Sequence, residues 1–352
     1  MVKNKPVHLL DLIKEVPGIL NHTIGNVWIN GIAQDSRHVK QGDLFVALPG
    51  SITDGHRYIP DAIRNGAAAV VGMHENLEMS LPYIRVEDSR LALAHLAAAF
   101  FGFPARKLLV IGVTGTDGKT TTSNLIYDIL QTAGFQVGMI STVNAVIGGQ
   151  VLDTGFHVTT PDALEVQSYL SQMVSAGASH VVLETTSHGL AQHRVDACEF
   201  DLGVLTNITH EHLDYHGTYE AYRNAKARLF EYIAETKIKD FPTPRCAVLN
   251  FDDSSYSYLS EGLQTRHLSY GITPMADIFA ENIAQSSSGI SFLAQGKTIN
   301  GLPWQTSIET SLVGSYNVSN CLAALAACTG ALGVTPEIAR EAQIGRASCR
   351  ER

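Results

Sequence analysis

A chain of 352 residues with 45% hydrophobic and 17% charged side chains holds material for roughly two or three buried cores at about 150 residues each. A disordered or collagen-like polymer is thereby excluded. The 25 basic and 34 acidic residues leave a net charge of −9 with no Lys/Arg block, which makes the chain a poor candidate for non-specific binding to nucleic acid or to a membrane surface. Any phosphate is then held locally, by a loop or a metal. Cys198, Cys246, Cys321, Cys328 and Cys349 form no C-x-x-C pair, and the expected setting is reducing and cytoplasmic. The amino-terminal stretch is broken by Asp11 and Glu15 and does not read as a signal peptide. The longest soft run, 91–103, contains His95 and is too short to cross a membrane.

In chain order, residues 1–104 read as a small α/β unit. LFVAL at 44–48 is a buried strand, a helix is expected over 56–65 with Gly66 as its stop, and AAAVV at 67–71 is another strand. Asp88-Ser89 caps an Ala-rich helix that ends near 102–104, and Pro104 marks the boundary. From Lys107 the pattern becomes strand–helix alternation. LLVIGV is followed by a Gly/Thr loop and a helix over 119–133, with further strands at 136–142, 180–186, 202–207 and 247–250 and helices at 161–176 and 219–234. Continuous apolar strands alternating with helices predict a mostly parallel α/β sheet covered on both faces. After Ala276 the text alternates as antiparallel strands do, with a polar turn at 285–289 and an amphipathic helix over 316–332.

The segment Gly112-Val113-Thr114-Gly115-Thr116-Asp117-Gly118-Lys119-Thr120-Thr121-Thr122 lies between a strand and a helix, the context a phosphate loop requires. Gly115 and Gly118 let backbone N–H groups converge on phosphate, and the helix start adds partial positive charge. Lys119 reaches the β/γ-phosphates, and the Thr120 hydroxyl is a Mg²⁺ ligand. Val113 stands where the strict P-loop has Gly, so the match is to the G-T-x-G-K-T variant. A loop of this kind does not name a reaction.

Five of the fourteen histidines fall between His188 and His216. Glu184 ends an apolar strand, where ligand crevices open in such sheets, and is a natural Mg²⁺ ligand. His210, His212 and His216 follow the next strand, and His212 is flanked by Glu211 and Asp214. Zinc is disfavoured, since no Cys pairs with them and no H-E-x-x-H helix occurs. Lys226 has Tyr222 and Phe230 at i−4 and i+4, on a half-apolar helix face. It reads as a snorkelling surface lysine or as a buried amine with a depressed pKa, open to carbamylation.

Six stretches in order then resemble the Mur ligases of peptidoglycan synthesis: DSRHVKQGDLFVALPG with DGHRYI, GVTGTDGKTTT, TTPDALEVQ, LETTSHGLAQHRV, TNITHEHLDYHGTYEAYRNAKARLF and GSYNVSNCLAALAA. The resemblance covers roughly residues 33–343. It is to the branch that adds the third amino acid, a diamino acid such as meso-diaminopimelate or L-lysine, to UDP-N-acetylmuramoyl-L-alanyl-D-glutamate. It implies a uridine-nucleotide domain over 1–104 and an ATP-binding central domain over 105–343. Gln34, Ser36, Ser51, Ile52 and Thr53 would meet the UDP end. Thr159, Thr160, Thr186, Gln192 and Arg194 would hold the muramoyl-dipeptide. Gly115, Thr116, Asp117, Gly118, Lys119, Thr120 and Thr121 would bind ATP, with Asn317 and Asn320 near the adenine. Thr120 and Glu184 would hold one Mg²⁺, and His212 and Lys226, carbamylated by CO₂, a second.

The sequence departs from the pattern at two points: His210-Glu211-His212 stands for Arg-Asp-His, and Thr186-Ser187-His188 for Ser-Ser-His. The implied chemistry is phosphorylation of a carboxylate by ATP, followed by amine attack on the acyl phosphate, with no protein nucleophile. Family members have a third, amino-acid-binding domain. The chain is expected to stop before it, and 344–352 to be a non-native tail resembling translated adapter sequence, so that substrate binds but turnover is slow or absent. Neither nucleic acid nor a membrane is an expected partner, and the expected state is a monomer. Competing readings are another Mur-fold ligase of the folylpolyglutamate synthase kind, opposed by the 1–104 unit, and a non-catalytic P-loop module, opposed by Glu184, His212 and Lys226.

Overall fold

The computed structural model describes residues 5–23, 25–50, 53–75, 79–153 and 160–345. Two compact units emerge from its contacts. One comprises 1–105 with 161–172 and 192–198; the other comprises 106–160, 173–191 and 199–352.

In the first unit, β1 (Val7–His8) bridges to β3 (Trp28–Ile29). The main sheet holds β2 (Ile19–His22), β4 (Gly31–Ala33), β5 (Asp43–Val46), β6 (Ala69–Gly72) and β7 (Tyr83–Val86), in the order β2-β7-β6-β5-β4. All neighbours are parallel except β2 against β7. The two-residue period of a strand explains why these segments are apolar throughout. Leu44 and Val46 enter a core with Leu9 and Leu12 of α1 (Leu9–Ile13) and with α3 (Ser89–Phe100), while Phe45 enters a second core with Ile59 and Ala62 of α2 (Ile59–Arg64). Asp88 caps α3, accepting from the N–H groups of Arg90 (2.7 Å) and Leu91 (3.1 Å).

The helix expected over 56–65 is divided. A 3-10 turn over Gly55–Tyr58, capped by Asp54, precedes α2. Pro60, in the first turn of α2, has no N–H to extend the 3-10 turn and holds its own φ in the helical range.

The second unit is built on an eleven-stranded sheet, counted among the described residues. Its parallel centre is β9 (Val137–Ile140), β12 (His180–Glu184), β8 (Leu109–Thr114), β13 (Leu202–Leu205), β14 (Cys246–Asn250) and β15 (Arg266–Gly271). The strands β16 (Ile278–Ser286), β17 (Gly289–Lys297) and β18 (Pro303–Thr310) continue it, the last two antiparallel as the alternation predicts. A hairpin of β10 (Asn144–Ile147) and β11 (Gln150–Asp153) extends the other edge and is not anticipated from the sequence. Its turn is Gly148-Gly149 with both φ positive (56° and 78°), the backbone a two-residue hairpin requires.

Helices α4 (Lys119–Thr132), α5 (Ala163–Ser175), α6 (Ser187–Ala191), α7 (Leu213–His216), α8 (Tyr219–Glu235) and α9 (Tyr256–Gly262) connect the strands. The helix expected over 316–332 changes pitch: α10 (Tyr316–Leu325) passes into a π-helical stretch over Ala326–Ala331. An unanticipated α11 (Pro336–Gly345) then packs on α4 and β18, burying Ala339 and Ala342. It extends into the stretch read as a tail, whose residues 346–352 lie outside the described ones.

One buried ion pair ties the start of this sheet together. The Lys239 ammonium donates to Asp201 Oδ2 (2.5 Å) and to the carbonyls of Leu108 (2.8 Å) and Glu199 (3.0 Å), and Asp201 also accepts from the Val110 N–H (2.8 Å). Burial pushes the Asp201 carboxyl above its usual range, against the pull of Lys239. Lys239→Met would leave that carboxylate uncompensated and should cost about 3–5 kcal/mol in urea unfolding. A Lys239→Met/Asp201→Leu double substitution should recover more than half of the loss.

Candidate active site around the phosphate loop

The loop follows β8 and runs into α4. Gly115 (φ 151°) and Gly118 (φ 80°) have backbone conformations that side chains rarely adopt. A Cβ at Gly115 would collide with Thr206 Oγ1, and one at Gly118 with Asn320 Oδ1. The loop is held from beside β13. The Thr116 N–H donates to the Asn207 carbonyl (2.8 Å), the Asp117 N–H to Asn207 Oδ1 (2.9 Å), and Thr206 Oγ1 to the Asp117 carbonyl (2.6 Å). Lys119 Nζ donates to the Thr116 carbonyl (2.7 Å).

Glu184, at the carboxyl end of β12, is 1% exposed. It accepts from Thr120 Oγ1 (3.1 and 3.0 Å to its two oxygens), from the Thr142 N–H (3.1 Å) and from Thr142 Oγ1 (2.9 Å). All these donors are neutral, and among the described residues no cation pairs with it. A buried carboxylate satisfied in hydrogen bonds but not in charge is what a divalent cation completes. Thr120 and Glu184 therefore fit a Mg²⁺ site. Thr142 is the member that sequence reasoning missed; a hydroxyl just past a strand end has no spacing that marks it.

Lys226 lies on α8 and is 2% exposed, which removes the snorkelling alternative. Its Nζ donates to the Gly115 carbonyl (2.5 Å) and sits 4.5 Å from the centre of the Tyr222 ring. Burial, and then the nearby Lys119 charge, lower its pKa well below the usual lysine range. Tyr222, also buried, shares a hydrogen bond with Thr116 Oγ1 (3.0 Å), so one face of α8 holds both the loop and the lysine. His212 has a positive φ (53°) and a half-exposed ring, edge-on to His188 at 4.9 Å between centres. His188 also contacts Tyr215 and His216. His216 Nε2 is buried with no hydrogen-bond partner. Burial and then His188 lower its pKa.

Asn317 and Asn320 on α10 are buried next to the loop. Asn320 Nδ2 donates to Asn317 Oδ1 (3.0 Å), and Asn320 Oδ1 accepts from Thr122 Oγ1 (3.4 Å). Thr186 and Thr160 share a hydroxyl hydrogen bond (3.1 Å), and Thr160 Oγ1 donates to the Glu184 carbonyl (3.3 Å). Within the first unit, Gln34 donates to Asp162 (2.5 Å), Arg194 to Gln192 (2.7 Å), Ser36 is buried and Thr53 is exposed. Ser51, Ile52 and Thr159 lie outside the described residues.

Such a loop, with a buried carboxylate and a buried lysine beside it on a parallel sheet, defines a nucleotide-handling α/β protein. Residues 113–328 match the Mur ligase middle domain, and residues 28–101 match the Mur ligase family catalytic domain. The chain belongs to the Mur ligase family. It is 42% identical over 320 residues to a UDP-N-acetylmuramoyl-L-alanyl-D-glutamate--2,6-diaminopimelate ligase of Geobacillus kaustophilus, covering 91% of this chain and 63% of that protein. It is 42% identical over 309 residues to a UDP-N-acetylmuramyl-tripeptide synthetase of a Roseiflexus species, covering 85% of this chain and 60% of that protein. A solved structure of a ligase with the same name as the Geobacillus protein superposes with a TM-score of 0.78 at 27% identity, covering 96% of this chain and 66% of the other. The chain thus spans less than two thirds of the length of these curated relatives.

Two substitutions probe the geometry. Gly118→Ala adds a Cβ against Asn320 to a left-handed backbone, and should lower both thermal stability and nucleotide affinity, read by calorimetry. Thr142→Val keeps the volume but removes a donor from the buried Glu184. It should cost about 1–3 kcal/mol in chemical unfolding.

Proposed function

We propose that this chain carries the ATP-binding and muramoyl-dipeptide-binding parts of a ligase that adds the third amino acid to UDP-N-acetylmuramoyl-L-alanyl-D-glutamate. The amino acid is a diamino acid, and diaminopimelate is the one named for the Geobacillus relative. The observation that carries this reading is the burial of the Glu184 carboxyl group beside a phosphate loop, with neutral hydrogen-bond donors alone. The 42% identity to ligases of that name supports it.

A carboxylate is a poor electrophile. Its oxygen attacks the γ-phosphorus of ATP, ADP leaves, and an acyl phosphate forms. The incoming amine then attacks the acyl carbon, phosphate departs, and the amine gives up a proton to leave an amide. The first step brings two anions together. Lys119 would turn from the Thr116 carbonyl to the γ-phosphate, offsetting that repulsion. Thr120 and Glu184 would hold one Mg²⁺, and His212 with Lys226 a second. Bound Mg²⁺ supplies charge neutralisation at the transferring phosphoryl group. Gln34, Ser36 and the 51–53 stretch would take the uridine nucleotide, with Thr159, Thr160, Thr186, Gln192 and Arg194 on the muramoyl-dipeptide and Asn317 and Asn320 towards the adenine.

The depressed pKa of Lys226 leaves part of its amine neutral. Attack of that amine on dissolved CO₂, with loss of one proton to water, gives a carbamate and turns a cation into a metal-binding anion.

UDP-N-acetylmuramoyl-L-alanyl-D-glutamate should bind the chain one to one in calorimetry, with Arg194→Ala weakening it about tenfold, or roughly 1.4 kcal/mol. Failure to bind at millimolar substrate would overturn the reading. In ¹³C-bicarbonate buffer, NMR should show one protein carbamate resonance that Lys226→Ala abolishes. A spectrum without it would refute the carbamate.

A further inference from the structure

We propose that the amino-terminal edge of the central sheet carries a second ligand site, for a small carboxylate with an aromatic body. A cavity of about 600 Å³ opens there, within the range of roughly 300–1,000 Å³ typical of small-molecule sites. Its lining includes the first residues of β8 (Leu109), β12 (His180) and β15 (Arg266). These strands are parallel members of one sheet, so their first residues share an edge and the phosphate loop lies at the other. Six residues of β8 separate them, roughly 20 Å at about 3.3 Å per residue. The cavity is therefore distinct from the site described above.

The walls and the charges point to the ligand class. Phe135, Phe241 and Leu332 supply apolar surface, and the Phe135 ring stands 4.3 Å from the His180 ring. Burial lowers the His180 pKa to about 4, so at neutral pH it adds a hydrogen-bonding edge and no charge; its Nδ1 lies 2.8 Å from Ser179 Oγ. The two charged lining residues, Lys107 and Arg266, are both cations, and no lining residue is acidic. Among the described residues neither forms an ion pair. Arg266 donates to the Ile299 carbonyl (2.5 Å). In a chain of net charge −9, two exposed cations without an ion pair, on the lining of a cavity that also carries aromatic surface, complement an anion attached to a flat hydrocarbon.

Calorimetric titration of the whole chain with 4-phenylbutyrate, and with its neutral amide, tests this. The carboxylate should bind one to one at millimolar concentration or better, with the amide at least tenfold weaker. Lys107→Gln/Arg266→Gln should erase that difference. Thr243→Trp, which fills the cavity and leaves both cations, should abolish binding, and saturating ADP should not compete. Equal affinity for acid and amide, no saturable binding, displacement by ADP, or undiminished binding to the Thr243→Trp protein would each overturn the proposal. The acid–amide comparison needs no substitution, so a variant that fails to fold leaves it decisive.

Discussion

Two buried ionisable groups, one carboxyl and one amine, flank the phosphate loop without pairing with each other. Glu184 reaches it through Thr120 at the start of α4, and Lys226 through the carbonyl of Gly115 at the end of β8. Each is almost completely removed from water, and among the described residues each hydrogen-bonds to neutral groups alone, with the charges of Lys119, Glu211 and Asp117 acting on Lys226 from farther off. Burial on such terms opposes folding, so the surrounding structure has to hold both groups in place. The apolar strands on either side of β8, the packing of α8 through Tyr222, and the hydroxyls of Thr120 and Thr142 do this. The same arrangement prepares one end of the loop for a cation and leaves the other with an amine of reduced basicity.

Much of this was legible in the sequence, for local reasons. A strand–loop–helix with glycines at fixed offsets has few backbone solutions, and Gly115 and Gly118 take the conformations those solutions demand. Glu184 was legible as the last residue of a continuous apolar run. Lys226 was legible as an anomaly, a charge between Tyr222 and Phe230 on one helix face, although the pattern alone could not decide between a buried and a snorkelling amine.

What was not legible depends on contacts between distant parts of the chain. Asn207 follows a strand like many asparagines, and its grip on the loop exists only because β13 lies next to β8. Thr142 becomes a partner of Glu184 because β9 pairs with β12. The segments 161–172 and 192–198 pack with the first unit although they lie far along the chain, and no composition change marks them. The passage from α10 into a π-helical stretch leaves no periodic signature, because six residues are too few to register a changed pitch.

The hold of Asn207 on the loop bears on the energetics of nucleotide binding. The amides of Thr116 and Asp117 are already donating to Asn207, and the Lys119 ammonium to the Thr116 carbonyl. A phosphate oxygen that takes up any of these donors exchanges one acceptor for another instead of filling an empty socket. The heat released on binding is then a difference between two hydrogen-bonded states, and smaller than a count of phosphate contacts suggests. By the same reasoning, removing the Asn207 side-chain amide would loosen the resting loop while freeing the Asp117 donor, so affinity and rigidity at this site need not change together.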